Sequence, residues 1–485
     1  MATIVCADCR EFQKESCPRC EYADPKQRRD VCDAQDPACD IFQPKDITDK
    51  NIVATIMLRH LFYCEKDKNQ TFYVFKDGKW SNSQAESVIL NELTEIFKNE
   101  DSHSKMNRVK VTDFIKGQAM NTEVKEKPPH IICFKNGLLD INTMKLMPFD
   151  PSLFCVNQIP WDFNPSAEYP LWLKWLSETL KVEDISFLQE WTGYQFYTGI
   201  PQPAFLILIG TGQNGKSIFI DVLSRMLGEK ENVTRVSLHQ LTYDKFYRAE
   251  LHRKLADISD ELGSGEIRFT DTIKDASAGG WIEADRKNGQ PFNFQNYCKT
   301  TAACNEPPPF NDESDALKIR LNVIEFPYKF FKNPDVEKGE KLATDREELE
   351  AALFSEIPGI INWSLEGLKR FLSNNSKFSA NLSTEETWQF YKRNSRPVVM
   401  FNEECTKHTE DPEDKISPEE FYKIFEEWKK RTKVKQIVLR DKFFKELKKE
   451  GIETSQSRAD DRRRMYHGIT VTVTPSRPQV PTPAQ

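Results

Sequence analysis

The sequence has no apolar run long enough to cross a membrane. Its longest stretch, around FLILI at 205–209, is far short of the about 20 residues that a span needs. The start, MATIVCADC, lacks the charged segment followed by an apolar core that marks a secretory signal. The chain also has no basic excess, since 68 Lys and Arg against 75 Asp and Glu give a net charge of −7. We therefore expect an intracellular, cytoplasmic protein with no membrane partner, and not one that coats nucleic acid through a uniformly basic surface.

Apolar and charged residues are both abundant. Hydrophobic residues make up 38% and charged residues 29% of the 485 positions. This composition excludes a wholly disordered or fibrous chain, because it supplies enough apolar material for real cores. At roughly 100–200 residues per domain, the length predicts about three domains.

Cysteine is concentrated at one end of the chain. Six of the twelve cysteines fall in the first 39 residues, namely Cys6, Cys9, Cys17, Cys20, Cys32 and Cys39. A reducing compartment disfavours disulfides, and the spacing in CADC and CPRC allows thiolates to reach one tetrahedral Zn²⁺. We expect four of the six to bind a structural zinc. Which four is left open, and a redox or incidental role is the alternative.

Turn signals and hydrophobic periodicity divide the chain into segments of different composition. An Asp-Gly pair predicts a β-hairpin in 71–80. Short apolar strands predict an α/β sheet, and a Pro-Gly pair at 358–359 predicts a break in the helical pattern that spans 347–372. The strand candidates are 205–209, 254–259, 298–304 and 321–326. The predicted segments are a cysteine-rich zinc-binding segment at 1–45, an α+β domain at 46–200, an α/β core at 201–330, a helical segment at 331–375, a winged-helix-like domain at 376–475 and a disordered tail at 476–485.

The motif GTGQNGKS follows the strand candidate FLILI and opens a helical pattern. It matches the phosphate-binding loop G-x-x-x-x-G-K-[ST], in which backbone N–H groups and a helix N-terminus cradle phosphate. Lys216 would reach the β- and γ-phosphates of ATP, and the Ser217 hydroxyl would hold Mg²⁺. The nucleotide-binding set is Gly210, Thr211, Gly212, Gln213, Asn214, Gly215, Lys216 and Ser217.

Polar residues follow the next strand candidates along the chain. Asp260 and Glu261 end the apolar run KLADIS, where Asp260 would contact Mg²⁺ through water and Glu261 would act as general base. The alternative is a solvated acidic pair, and Asp257 is a competing metal candidate. Asn305 follows the strand CKTTAAC and would orient water or sense the γ-phosphate, although Asn-Glu-Pro-Pro as a plain turn is the alternative. Arg320 could neutralise transition-state charge on a neighbouring subunit's nucleotide, although a surface arginine in a salt bridge is the alternative.

A hairpin pattern lies between the acidic pair and Asn305. The stretch GGWIEADRKNGQPFNF, 279–294, indicates two strands around a tip that contains Arg286 and Lys287. A basic tip suits phosphate contacts with single-stranded DNA, whereas a solvated turn is the ordinary explanation of such a feature.

The C-terminal region is locally basic. Residues 431–467 contain twelve Lys or Arg and six Asp or Glu, a local charge of 12 − 6 = +6. Two helical patterns precede RRRMYHGITVTV, an order that predicts a winged helix that contacts duplex or origin DNA. A solvated charged face is the alternative.

Taken in this order, the motifs GTGQNGKS, KLADISDEL, RKNG, TTAACNEPPPF and DALKIRLNVIEF closely resemble those of the superfamily III helicases. The chain is most similar to their phage, plasmid and archaeal-element primase-helicase branch, which includes the poxvirus primase-helicase. The resemblance covers about 70–475. It implies an AAA+ ATPase, an α/β fold, that forms a hexameric ring and translocates on single-stranded DNA, 3′ to 5′. It also implies that Arg320 acts as a finger in trans and that Lys287, with Arg286 beside it, contacts DNA.

One departure from the family concerns primer synthesis. Residues 1–200 are too short for both a primase domain and the family's connecting domain, so a separate primase or primase-polymerase is an expected partner. The expected function is ATP-dependent unwinding of forked DNA during replication of a virus, plasmid or integrated element, by a homohexamer that uses ATP, Mg²⁺ and Zn²⁺. The alternatives are a zinc and winged-helix DNA-binding protein that uses ATP as a regulatory switch, and a DNA packaging or loading motor.

Overall fold

The computed structural model describes 49–66, 69–96, 105–287, 289–335, 337, 339–409, 411, 414–432, 434, 436–456 and 464–471. These residues belong to two compact units, one drawn from Met1–Glu126 and Asp150–Val156 and the other from Lys127–Phe149 and Asn157–Gln485. The predicted α+β domain, 46–200, contributes to both units. The predicted zinc-binding segment at 1–45 and the predicted tail at 476–485 lie outside the described residues.

The first unit packs three helices against a small antiparallel sheet of order β1-β2-β3. Asp77 and Gly78, with φ of 52° and 82°, form the turn between β2 and β3, so the predicted hairpin is confirmed. Numbered along the whole chain, its elements are α1 (Asp49–Arg59), β1 (Leu61–Cys64), β2 (Phe72–Lys76), β3 (Lys79–Ser81), α2 (Ala85–Ile96), α3 (Lys105–Ala119), β4 (Lys125–Glu126) and β8 (Leu153–Phe154).

The second unit contains the remaining described elements. Its strands are β5 (Ile131–Phe134), β6 (Gly137–Asp140), β7 (Lys145–Met147), β9 (Gln158–Ile159), β10 (Phe205–Ile209), β11 (Val233–Thr234), β12 (Ala256–Ser259), β13 (Trp281–Ala284), β14 (Phe292–Gln295), β15 (Lys299–Cys304), β16 (Leu321–Glu325), β17 (Phe330–Phe331), β18 (Lys341–Leu342), β19 (Thr406–His408), β20 (Lys415–Ile416), β21 (Ser455–Gln456), β22 (Arg464–His467) and β23 (Ile469–Val471). Its helices are α4 (Pro170–Thr179), α5 (Val182–Tyr194), α6 (Lys216–Leu227), α7 (Leu238–Tyr243), α8 (Lys245–Ala249), α9 (Asp271–Ser277), α10 (Asp315–Lys318), α11 (Arg346–Ser355), α12 (Ile357–Ser373), α13 (Thr384–Ser395), α14 (Pro397–Cys405), α15 (Pro418–Thr432) and α16 (Arg440–Lys449), with a 3₁₀ turn at Glu229–Glu231.

A parallel sheet of order β11-β12-β15-β10-β16 forms the centre of the second unit. Strands β10, β12 and β15 are buried along their whole length, and β10, FLILI, is apolar throughout, as expected of a strand covered on both faces. Because the strands are parallel and in register, the residues that follow β10, β12 and β15 meet at one edge. The predicted α/β sheet is therefore confirmed, and its carboxyl edge collects the polar residues of the motifs.

Hydrophobic cores lie on both faces of this sheet. One is rich in aromatic residues of α4, α5, α6 and α12, and the other is formed with α7, α9 and α13. The predicted helix break lies at Glu356, between α11 and α12, two residues before Pro358. Pro358 instead lies in the first turn of α12, where its missing N–H leaves no helical hydrogen bond unmade.

The C-terminal part of the second unit combines helices α14, α15 and α16 with short antiparallel pairs of strands. Its core is aromatic, with Phe401, Phe421, Phe425 and Phe443 packed together. Within the described part of the chain, no helix combines the length and the apolar content that a membrane span requires.

Candidate nucleotide-binding site

The phosphate-loop motif forms a tight turn between β10 and α6. Gly212, Gln213 and Gly215 have φ of 92°, 52° and 90°, so the backbone enters the left-handed region three times. A Cβ on Gly215 would lie 2.8 Å from the Thr179 side chain, which leaves no room for another residue. Helix α6 begins directly after Gly215, and its free N–H groups face the concave side of such a turn. The loop is therefore built to bind an anion.

Lys216 is the cation of this loop, and it is only 6% exposed. Its Nζ donates hydrogen bonds to the Gly210 carbonyl at 2.5 Å, to Asn214 Oδ1 at 3.1 Å and to Asn305 Oδ1 at 3.2 Å. Burial lowers the pKa of Lys216 from 10.5 to about 8. The ammonium is thus held by neutral oxygens that phosphate oxygens can replace.

Asn214 holds the loop on its other side. It is buried, and its Nδ2 donates to the Phe326 carbonyl at 3.2 Å while its Oδ1 accepts from Lys216. The backbone N–H of Phe330 donates to the Gln213 carbonyl at 2.8 Å, which supports the left-handed turn. The segment after β16 therefore fixes the shape of the loop, a contribution that no local sequence signal indicated.

The acidic pair follows β12 at the same edge of the sheet. Asp260 and Glu261 are exposed and line the same cleft as Gly212–Ser217. Arg235 Nη1 lies 3.1 Å from Asp260 Oδ2, and both side chains are about half exposed, so this ion pair is weak enough for a metal ion to displace it. Carboxylate and hydroxyl oxygens are the ligands that Mg²⁺ prefers, so Asp260 and Ser217 fit that ion.

Asn305 follows β15, the strand between β10 and β12. Its hydrogen bond to Lys216 joins residues that are 89 positions apart in the sequence. The loop, the acidic pair and Asn305 therefore line the same cleft.

The cleft around these residues has a volume of about 800 Å³. Helix α4 and the segment 330–353, which contain none of the motifs, complete its walls. Their lining side chains include Trp175, Glu178, Phe330, Leu342, Arg346 and Leu349. Arg346 is paired with Asp221 and Glu350, and it adds a third cation to Lys174 and Lys216 in the cleft. The signal for these walls is absent from the motifs because it depends on how distant helices pack.

Two predicted residues lie elsewhere. Arg320 precedes β16, at the edge of the sheet opposite to Lys216, and its guanidinium donates to the Ala316 carbonyl. Asp257, the competing metal candidate, is fully buried in β12 and accepts from the Val236 N–H at 2.8 Å, while burial raises its pKa to about 8. Asp257 is therefore a structural residue, and Arg320 does not contact the nucleotide site of its own chain.

Strands β13 and β14 form the predicted antiparallel hairpin. Lys287 is exposed at its tip. Arg286 turns back, with Nη2 3.1 Å from His252 Nδ1 and its guanidinium 4.4 Å from the centre of the Phe292 ring. The two basic residues of the tip thus differ, since Arg286 braces the hairpin and Lys287 faces solvent.

The zinc prediction concerns Cys6 to Cys39, which lie outside the described residues. In the described ranges, no cluster of three His, Cys, Asp or Glu side chains could hold a metal ion.

Two family profiles match different parts of the chain. The one described as D5 N terminal like covers residues 54–181, and the one described as a family of unknown function, DUF5906, covers 208–320. A candidate helicase of Acanthamoeba polyphaga mimivirus, L207/L206, is 23% identical over 337 residues, which are 58% of this chain and 34% of that protein. The chain thus spans about a third of the length of that relative.

Solved structures of the NrS-1 C-terminal region are also similar. One apo structure has a TM-score of 0.45 at 14% identity and covers 73% of this chain and 77% of its own. Another, the A form, has a TM-score of 0.41 at 12% identity and covers 77% and 84%. The D5-type profile and the viral helicase relative thus show that the chain is similar to phage and viral primase-helicases.

Proposed function

We propose that this protein is an ATP-dependent DNA helicase that acts in the replication of a virus, plasmid or integrated element. The observation that carries the proposal is the contact of Lys216 with Asn305 in a cleft that the acidic pair also lines. A phosphate loop alone would support nucleotide binding. The added base and sensor candidates, at the carboxyl ends of adjoining strands, support hydrolysis.

In this proposal each residue has a separate task. Lys216 leaves the Gly210 carbonyl and donates to the β- and γ-phosphates, while the N–H groups of the loop bind their other oxygens. Glu261 accepts the proton of the attacking water, and Asn305 orients that water against the γ-phosphate. Ser217 and Asp260 would hold Mg²⁺, which neutralises phosphate charge when it is bound.

We propose that a second subunit completes the site. Arg320 lies at the edge of the sheet opposite to the nucleotide cleft of its own chain, a position that supports contact with the nucleotide of a neighbouring chain. This arrangement supports an AAA+ ring, which we propose to be a homohexamer, in which each chain supplies Arg320 to the next site.

The hairpin is the proposed contact with single-stranded DNA. Lys287 is exposed at its tip, and Trp281, on strand β13, is 70% exposed. Helix α8 runs beside β13, held by the Lys245–Glu283 ion pair at 2.8 Å, and it adds the exposed ring of Phe246. A cation with aromatic rings suits a strand whose phosphates bind the cation and whose bases stack on the rings.

Helix α16 is the proposed contact with duplex DNA. It follows α15 and precedes antiparallel strands, as in a winged helix. It buries Phe443 and Leu447 and exposes a row of basic residues, Arg440, Lys442, Lys445, Lys448 and Lys449. We also propose that the cysteine-rich segment binds a structural zinc and that a separate primase is a partner of the helicase.

The test measures ATP hydrolysis and the unwinding of forked DNA, with tails of both polarities, on the same preparation. We expect DNA-stimulated hydrolysis and 3′-to-5′ unwinding in the wild-type chain. Lys216→Ala should lose both activities, and Glu261→Gln should bind ATP but not hydrolyse it. Lys287→Ala should keep basal hydrolysis and lose unwinding, whereas the exposed Lys369→Ala on α12 should behave as wild type. Turnover by Lys216→Ala at the wild-type rate would disprove the site, and normal unwinding by Lys287→Ala would disprove the hairpin contact.

A further inference from the structure

We propose that the segment Glu306–Phe310 couples the C-terminal part of the protein to the nucleotide site, so that DNA bound to α16 changes the rate of ATP hydrolysis through Asn305. The coupling contact is the hydrogen bond between Gln436 and Glu306. This inference rests on the proposed function, because it assumes hydrolysis in the cleft and DNA contact by α16.

The first end of the segment lies at the nucleotide site. Asn305 accepts a hydrogen bond from Lys216, and Glu306 is its neighbour in the chain. Three consecutive prolines follow at 307–309. Each proline fixes φ, so the segment is stiff and transmits a displacement of one end to the other.

Side chains of α13 and of the turn that follows it hold the second end of the segment. The hydroxyl of Tyr391, on α13, donates to the Pro308 carbonyl at 2.5 Å, and the Tyr391 ring stacks on Phe310 at 5.3 Å. Arg396, between α13 and α14, donates to the Phe310 carbonyl at 3.0 Å. These contacts anchor the segment to the helices that lead into the C-terminal part.

Gln436 connects the segment to the proposed DNA-binding helix. It lies in the connection between α15 and α16, and its Nε2 donates to Glu306 Oε2 at 3.1 Å. Helix α16 begins at Arg440, four residues later. A movement of α16 on DNA would therefore displace Glu306 through Gln436. Glu306 is joined by a peptide bond to Asn305, which accepts a hydrogen bond from Lys216.

The coupling predicts a selective defect. Duplex DNA acts through α16 and Gln436, whereas single-stranded DNA acts through the hairpin, which is formed by β13 and β14. Removing the donor of Gln436 should thus lower stimulation by duplex DNA and spare stimulation by single strands. A change that merely destabilised the fold would lower both.

The experiment uses the full chain with Mg²⁺ and ATP, and it compares turnover without DNA, with a blunt duplex and with oligo(dT). Gln436→Met removes the donor at similar length, and Gln436→Lys keeps a donor for Glu306. We expect the ratio of duplex-stimulated to unstimulated turnover to fall about fivefold in Gln436→Met and to be retained in Gln436→Lys. The control is Gln389→Met, which removes an exposed amide that bonds Glu385 on α13, and it should keep the wild-type ratio.

A charge swap gives a second measurement that does not depend on the methionine variant. Gln436→Glu should lose duplex stimulation because two carboxylates repel, and the double variant Gln436→Glu, Glu306→Lys should regain it. An unchanged duplex ratio in Gln436→Met, or no recovery in the double variant, would overturn the coupling. Wild-type turnover stimulated by oligo(dT) but not by duplex would also overturn it and leave the helicase proposal standing, whereas absence of any ATP hydrolysis would overturn both.

Discussion

ATP binding by this protein should weaken as the pH rises through 8. Burial lowers the pKa of Lys216 to about 8, and its three hydrogen-bond acceptors are neutral oxygens. A triphosphate brings negative charge to the ammonium, which favours the protonated form and raises the pKa again. Above pH 8, Lys216 must therefore take up a proton when ATP binds. The free-energy cost of this protonation weakens the binding of ATP.

The size of the effect follows from this pKa. At pH 8 half of the Lys216 side chains are neutral, so each ATP should take up about 0.5 proton, against about 0.1 at pH 7 and about 0.9 at pH 9. Well above pH 8 the affinity should fall towards about tenfold per pH unit. The stability of the nucleotide-free protein should depend on pH in the opposite direction from ATP binding. Between pH 8 and 10.5 the unfolded chain binds more protons than the folded chain, because Lys216 is protonated only when the chain is unfolded. The free energy of unfolding should therefore rise with pH in that window.

Calorimetric titration of ATP at about pH 8.5, in two buffers of different ionisation enthalpy, measures this proton uptake. Lys216→Arg should remove the uptake, because a guanidinium stays protonated in this range. Lys174→Ala is the matched control, since Lys174 lines the same cleft but is 70% exposed, and it should retain the uptake. Equal binding heats in the two buffers for the wild-type chain, or uptake that survives in Lys216→Arg, would refute the reasoning.

Gly215→Ala should lower the free energy of unfolding by at least about 1 kcal/mol and abolish ATP binding, because it forces a side chain into the left-handed region. In the control variant Gly263→Ala the new Cβ would meet no atom within 4 Å, so stability and ATP binding should both stay at the wild-type level. Chemical denaturation and nucleotide titration of the two variants measure these effects. Mixing Lys216→Ala with Arg320→Ala chains should restore part of the ATPase rate, and full activity of Arg320→Ala alone would contradict action in trans. Elemental analysis of the full chain should find about one zinc per chain, and its absence after purification without chelators, with all N-terminal thiols reactive, would contradict the zinc site.

The sequence determined the parts of the site that depend on local chemistry. A phosphate loop needs glycines, a lysine and a hydroxyl at fixed spacing, and GTGQNGKS between a strand and a helix meets that need within one short stretch. Strand β10 was predictable because a strand buried on both faces is continuously apolar, as FLILI is. The polar residues that follow such strands must then meet at one edge, as Asp260 and Asn305 do.

The tertiary structure decided which side chains of these motifs face the site. Asp257 and Asp260 are three positions apart, yet one is buried against Val236 and the other lines the cleft. Arg286 and Lys287 are neighbours in the sequence, yet their side chains differ in environment. Arg286 packs against His252 and Phe292, whereas Lys287 is exposed to solvent. Spacing does not reveal these differences, because each depends on partners that the fold brings from distant parts of the chain.

The walls of the cleft and the contacts that hold Glu306–Phe310 depend on the tertiary structure even more than the orientation of the motif residues does. Trp175, Arg346 and Gln436 carry no motif, and their positions follow from how α4, α11 and the connection between α15 and α16 pack on the central sheet. Tertiary packing depends on many weak contacts between residues that are far apart in the sequence. A short sequence motif does not specify those contacts. The sequence alone therefore determined which chemistry the loop can perform, and the tertiary structure decided what surrounds and holds it.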